Sequence, residues 1–193
     1  MPELPLTYVF EPSKYQERDK AYDSAFGGRR FSVAHQTPGT TILGQTSFVA
    51  TTPTFLINQA NTNGRRLVLS NFTLNQLTPV AGGTIHIALV IDPTNRYSSG
   101  GTSITPQATM ADSDLSAGFS FRFNATASAA GGGADAPRIL YEWTMPIYRG
   151  GIFNPDLHDG VGIGQTGSIL IYTWAATTGP TWIVGGFDVL EDE

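Results

Sequence analysis

The chain has 193 residues, a formal net charge of −5, 14% charged residues, 22 glycines, 12 prolines and no cysteine. That length suits one good-sized domain, and the lack of cysteine excludes disulfides, thiolate nucleophiles and cysteine-ligated zinc. The negative balance argues against direct nucleic-acid binding, which needs cations to displace counterions from phosphate, and against an anionic membrane surface; no stretch reaches the roughly 18 apolar residues of a spanning helix.

Residues 1–28 differ from the rest. Both lysines, Lys14 and Lys20, and three of the nine arginines lie within the first 30 residues, where five basic residues balance five acidic ones. The whole net charge therefore belongs to the body. The opening residues have neither the basic start nor the apolar core of a secretory leader, so we expect a protein kept or assembled inside the producing cell. Glu11–Tyr22 has the makings of a short helix, with Pro12 in its first turn and Tyr15, Tyr22 and Phe26 roughly on one face. That face is too thin to hold a helix alone. We read residues 1–28 as an extended or partly helical arm ending at the Gly27-Gly28 hinge.

From Arg29 onward the pattern is β. Phe31–Ala34 alternates, Thr41–Val49 is a long β-branched run, and Thr54–Ile57 is short and apolar. Asn63-Gly64 is a turn signal leading into Arg65–Leu74. Thr84–Ile91 follows Gly82-Gly83 and stops at Asp92-Pro93. Gly118–Asn124 puts three phenylalanines on one face and Ser120 and Arg122 on the other. The Ala-Gly tract 125–136 reads as a loop, Arg138–Met145 as a strand. Ser168–Trp174 and Thr181–Leu190, joined through Thr178-Gly179-Pro180, read as a hairpin. The stretches 92–117 and 146–166 read as long connections, of the kind a Greek key needs. The expected body, 29–193, is a single all-β domain: a jelly-roll-like antiparallel sandwich.

Few side chains suit catalysis. His86 lies between Ile85 and Ile87 in an alternating strand and points away from them, as a sheet histidine does. His35 abuts the turn Gln36–Gly39. No Gly-x-Ser-x-Gly accompanies any histidine. Asn154–Gly160 offers Asp156, His158 and Asp159, which reads as an Asx turn, with a hard-cation loop as the alternative. Asp112 and Asp114 form a loop pair with nothing to set them across a cleft. Tyr141 and Trp143 share one strand face, as do Tyr172 and Trp174. Cross-strand packing is the ordinary use of such pairs, and a sugar-stacking surface is the alternative. We therefore expect no enzyme activity, no cofactor and no metal.

The segment Ile91–Gln107, with its Arg96-Tyr97-Ser98-Ser99-Gly100-Gly101-Thr102 loop between a strand end and a Thr-Pro stretch, is similar to segments of virion structural proteins of tailed bacteriophages. The Thr/Gly-rich, cysteine-free body also resembles their capsid-decoration and head-associated proteins. The resemblance implies a domain that oligomerises, as a trimer, and decorates or cements a capsid or related lattice by binding the major capsid protein or other virion proteins. It implies assembly in the host cytoplasm and residence in the virion. Under this reading the contact residues are Tyr15, Arg18, Tyr22, Phe26, Arg29 and Arg30 in and beside the arm, and Arg96 and Tyr97 in the loop, since aromatics and arginine anchor interfaces. A carbohydrate- or receptor-binding module of a phage fibre is the alternative.

Overall fold

The computed structural model describes residues 27, 29–59, 65–77, 83–129, 137–146, 151–158 and 160–192. Fifteen strands run in chain order: β1 (Arg30–Val33), β2 (Ile42–Leu43), β3 (Phe55–Gln59), β4 (Arg66–Gln76), β5 (Thr84–Asp92), β6 (Tyr97–Ser99), β7 (Thr102–Ile104), β8 (Gln107–Ala108), β9 (Phe119–Phe123), β10 (Thr126–Ala127), β11 (Arg138–Pro146), β12 (Ile152–Phe153), β13 (Val161–Ile163), β14 (Ser168–Ala175) and β15 (Thr181–Asp192). No helix occurs among the described residues. One sheet has the order β12-β4-β15-β1-β8, with β13 also on β4 and β2 also on β15. The second has the order β11-β5-β14-β3-β9-β7, and β6 and β10 form a separate ribbon. All strand pairs are antiparallel, and the body is an all-β sandwich.

Strict alternation builds its core. β9 buries Phe119, Phe121 and Phe123 and turns Ser120 and Arg122 outward. Phe187 of β15 meets Phe121 at 4.7 Å and Phe55 of β3 at 5.2 Å between ring centres, closing the two sheets on each other. It also stacks on Phe72 of β4 at 5.3 Å. Such ring pairs each contribute about 1 kcal/mol beyond their area.

Three expectations are corrected. The run Thr41–Val49 is not one strand. Gly44 breaks it: β2 pairs with β15 in the first sheet, while Gln45 bridges Trp174 in the second. A Cβ on Gly44 would overlap Thr173 and Pro180, so only glycine permits this switch of sheet. β14 and β15 are not a hairpin. β14 pairs with β3 and β5, whereas β15 pairs with β1, β2 and β4. The turn at Gly179 carries the chain across the core, where Trp182 Nε1 donates to Thr173 Oγ1 at 2.9 Å. The long connections are also less open than expected: 92–117 contains β6, β7 and β8, and 146–166 contains β12 and β13. The expected arm helix and the Asn63-Gly64 turn lie outside the described residues.

Candidate functional site

The segment that carries the resemblance begins where β5 ends. Asp92 is buried, and its carboxylate accepts from Arg96 Nε at 2.6 Å and from Thr94 N and Oγ1 at 2.9 and 2.7 Å. Ser168 Oγ completes the knot, accepting from Arg96 N and donating to the Thr94 carbonyl, both at 3.0 Å. Burial alone would push the Asp92 carboxyl up. The hydrogen bonds and charge of Arg96, with those of Thr94, outweigh it and hold the group below the ordinary carboxylate range. Beyond the knot, the guanidinium of Arg122 lies 4.2 Å over the Tyr97 ring.

This knot closes one end of a cleft on the outer face of the second sheet. The cleft holds about 180 Å³ and is lined mainly by Phe48, Val90, Ala127, Ile139, Leu170 and Tyr172. Its apolar floor arises because the outward residues of β5 and β14, Ala88, Val90, Leu170 and Tyr172, are buried under β10 and the strand-free segment around Phe48. Tyr172 donates its hydroxyl to the Ala50 carbonyl at 2.7 Å. Burial, and secondarily the Asp92 charge, push the Tyr172 phenol up to about 12. Phe48 also meets Trp174 at 5.5 Å, and Trp174 stacks on His86 at 5.1 Å.

Two further surfaces expose apolar side chains. On the outer face of the first sheet, Ile152 lies opposite Asn75, which lies opposite Ile183. Beside that row, the Leu77 amide donates to the Thr181 carbonyl and Thr181 pairs with Leu43. Leu43, Leu77 and Ile152 are 56%, 40% and 70% exposed, so this is open surface. The second is the open edge of the sandwich at β11 and β12. Here Tyr141 stacks on Trp143 at 5.1 Å, and Trp143 meets Phe153 of the opposite sheet at 5.4 Å.

The described members of the sequence-nominated contact set lie in two places. Arg96 is tied to Asp92 and to the Ala129 carbonyl, and Tyr97 lies under Arg122. Arg30 holds Asp188 through two bonds of 2.9 and 2.6 Å on the first sheet. The Arg29 carbonyl accepts from the Glu191 amide. Tyr15, Arg18, Tyr22 and Phe26 lie outside the described residues. His158, at φ 54°, donates its amide to Asp156 Oδ1 at 2.8 Å, which is an Asx turn. Among the described residues no three acidic or histidine side chains converge. The exposed strip Leu43–Leu77–Ile152 was missed: Leu43 lies on β2, Leu77 just past the end of β4 and Ile152 on β12, and only the pairing shows them as neighbours.

No protein family matches the chain, and no curated protein or solved structure is significantly similar to it.

Proposed function

We propose that the protein is a non-enzymatic structural subunit that assembles with further copies of itself through the outer face of its first sheet. The observation that carries this reading is the strip formed by Leu43, Leu77, Ile152 and Ile183, with Asn75 and Thr181 between them. Interface cores are depleted of charge in this way, and contiguous exposed apolar surface on a soluble chain marks a contact. A body with so few charged residues has little else to keep such a face in water.

The strand order supports a jelly-roll body. Take the eight principal strands as β1, β3, β4, β5, β11, the β12/β13 pair, β14 and β15. The first sheet then reads first, eighth, third, sixth, and the second reads second, seventh, fourth, fifth. Two interleaved Greek keys give this order, and viral capsid domains use it. With the resemblance of Ile91–Gln107, this supports a virion protein of a tailed phage that trimerises and decorates a capsid or related lattice. Fold analogy alone would not carry that step. The aromatic group Tyr172–Phe48–Trp174–His86 and the Tyr141–Trp143 stack favour a sugar-binding fibre module instead.

Replacing Leu77 and Ile152 together by Lys tests the reading. Both side chains are exposed, so the fold should survive, and sedimentation should show the assembly reduced to single chains. An unchanged sedimentation coefficient across a wide concentration range would rule this face out.

A further inference from the structure

β11 is nine residues long and, among the described residues, pairs with β5 alone. No other described strand lies along its other side, whose N–H and C=O groups are a template for an added strand. Apart from the exposed charge of Glu142, the usual safeguards are confined to its ends: a bulge between Ile139 and Tyr141, and Pro146. Between them lies a regular five-residue stretch without lysine, Tyr141–Met145. Its inward side chains Tyr141, Trp143 and Met145 pack on the core yet are only partly buried, and among the described residues no strand continues the sheet beyond them. The facing edge strand β12 is as open, with Ile152 70% exposed. Among the described residues the sandwich core therefore ends, on this side, in a partly exposed aromatic row.

The same chain contains a segment of matching chemistry. Residues Leu4-Pro5-Leu6-Thr7-Tyr8-Val9-Phe10 alternate with period two, placing Leu4, Leu6, Tyr8 and Phe10 on one face, and carry no charge. The one proline stands near the start of the run, where an edge strand tolerates it. Glu3 and Glu11 bracket the segment, so Arg138 at one end of β11 meets an acidic partner whichever way the segment runs. Nineteen residues, Glu11–Arg29, join it to β1, enough to span about 60 Å when extended. β1 is three strands from the β12 side of its sheet, about 15 Å at ordinary strand spacing. The tether is thus long enough to reach a neighbouring molecule.

We propose that Leu4–Phe10 of a neighbouring copy adds to the free edge of β11 as a further strand, with Leu6, Tyr8 and Phe10 extending the core past Tyr141, Trp143 and Met145. Main-chain hydrogen bonds hold the segment, and alternate side chains fix its register. This deepens the assembly reading and rests on it for the copy that supplies the strand.

The test compares amide hydrogen exchange in the full chain with that in Val9→Pro, which removes a donor from the added strand without touching the body. The outward-facing amides of Tyr141–Met145 should exchange at least about 100-fold faster in the variant, while the amides of β14, paired on both sides, stay protected in both proteins. The variant should also lose mass by light scattering. Equal, fast exchange at the β11 edge in both proteins, with the oligomer intact, overturns the added strand and leaves the assembly reading standing. Edge protection that Val9→Pro abolishes in a chain that is monomeric throughout overturns supply by a neighbour and the assembly reading with it.

Discussion

Asp92 holds more of this structure than its position at a strand end suggests. It is a buried charge whose cost is met by Arg96 and the Thr94 donors. Asp92→Asn would remove the carboxylate that binds Arg96 Nε and should cost about 3 kcal/mol, read as a lower denaturant midpoint. The folded carboxyl titrates below the ordinary range, so on acidification the unfolded chain takes up the proton first. The stability Asp92 contributes is complete above about pH 4 and is lost as pH falls through the folded value. Tyr172 acts at the other extreme. Its phenol is pushed up from 10.0 to about 12, so as pH rises the unfolded chain loses the proton first. Stability should decline from pH 10 to 12, and Tyr172→Phe should decline less over that window in denaturant titrations. An identical slope in the two proteins would mean that the buried phenol is not felt.

At the scale of elements, the passage of the chain between sheets rests on two glycines. A Cβ on Gly179 would overlap the Gly44 carbonyl oxygen, and one on Gly44 would overlap Thr173. Backbone cannot yield as a flexible side chain can, so Gly179→Ala should cost about 3 kcal/mol, at the upper end of overpacking penalties, while Gly164→Ala, with open space around it, should cost far less. Thermal unfolding of the two variants checks this contrast. These crossings also show where reading the sequence stopped. Alternation at Phe119–Phe123, Thr84–Ile91 and Arg138–Met145 showed strands because one face of each must be buried. Thr178-Gly179-Pro180 reads as a hairpin turn, and nothing local reveals that β14 and β15 belong to different sheets. That assignment depends on which distant strands compete for each edge. Likewise the bend at Gly44 is imposed by Thr173 and Pro180, more than a hundred residues away. The short strands β6, β8, β10, β12 and β13 carry too few residues for any periodicity.

For the whole molecule, the all-β body was legible from composition and pattern, and the sandwich follows from the need to bury alternating faces. The exposed apolar strip was not. Arg96 and Tyr97, expected at a contact, also bind within the chain, to Asp92 and Arg122. The exposed apolar strip is made of ordinary leucines and isoleucines whose neighbourhood exists only after β2, β4, β12 and β15 pair. Together with the edge of β11, which is open among the described residues, it is the surface on which the proposed assembly rests. The most direct measurement is the mass of the full chain in solution by light scattering, over a wide range of concentration. A stable species of about three times the 20.6 kDa chain is the expected result, and a mass of 20.6 kDa at every concentration would contradict assembly through these surfaces.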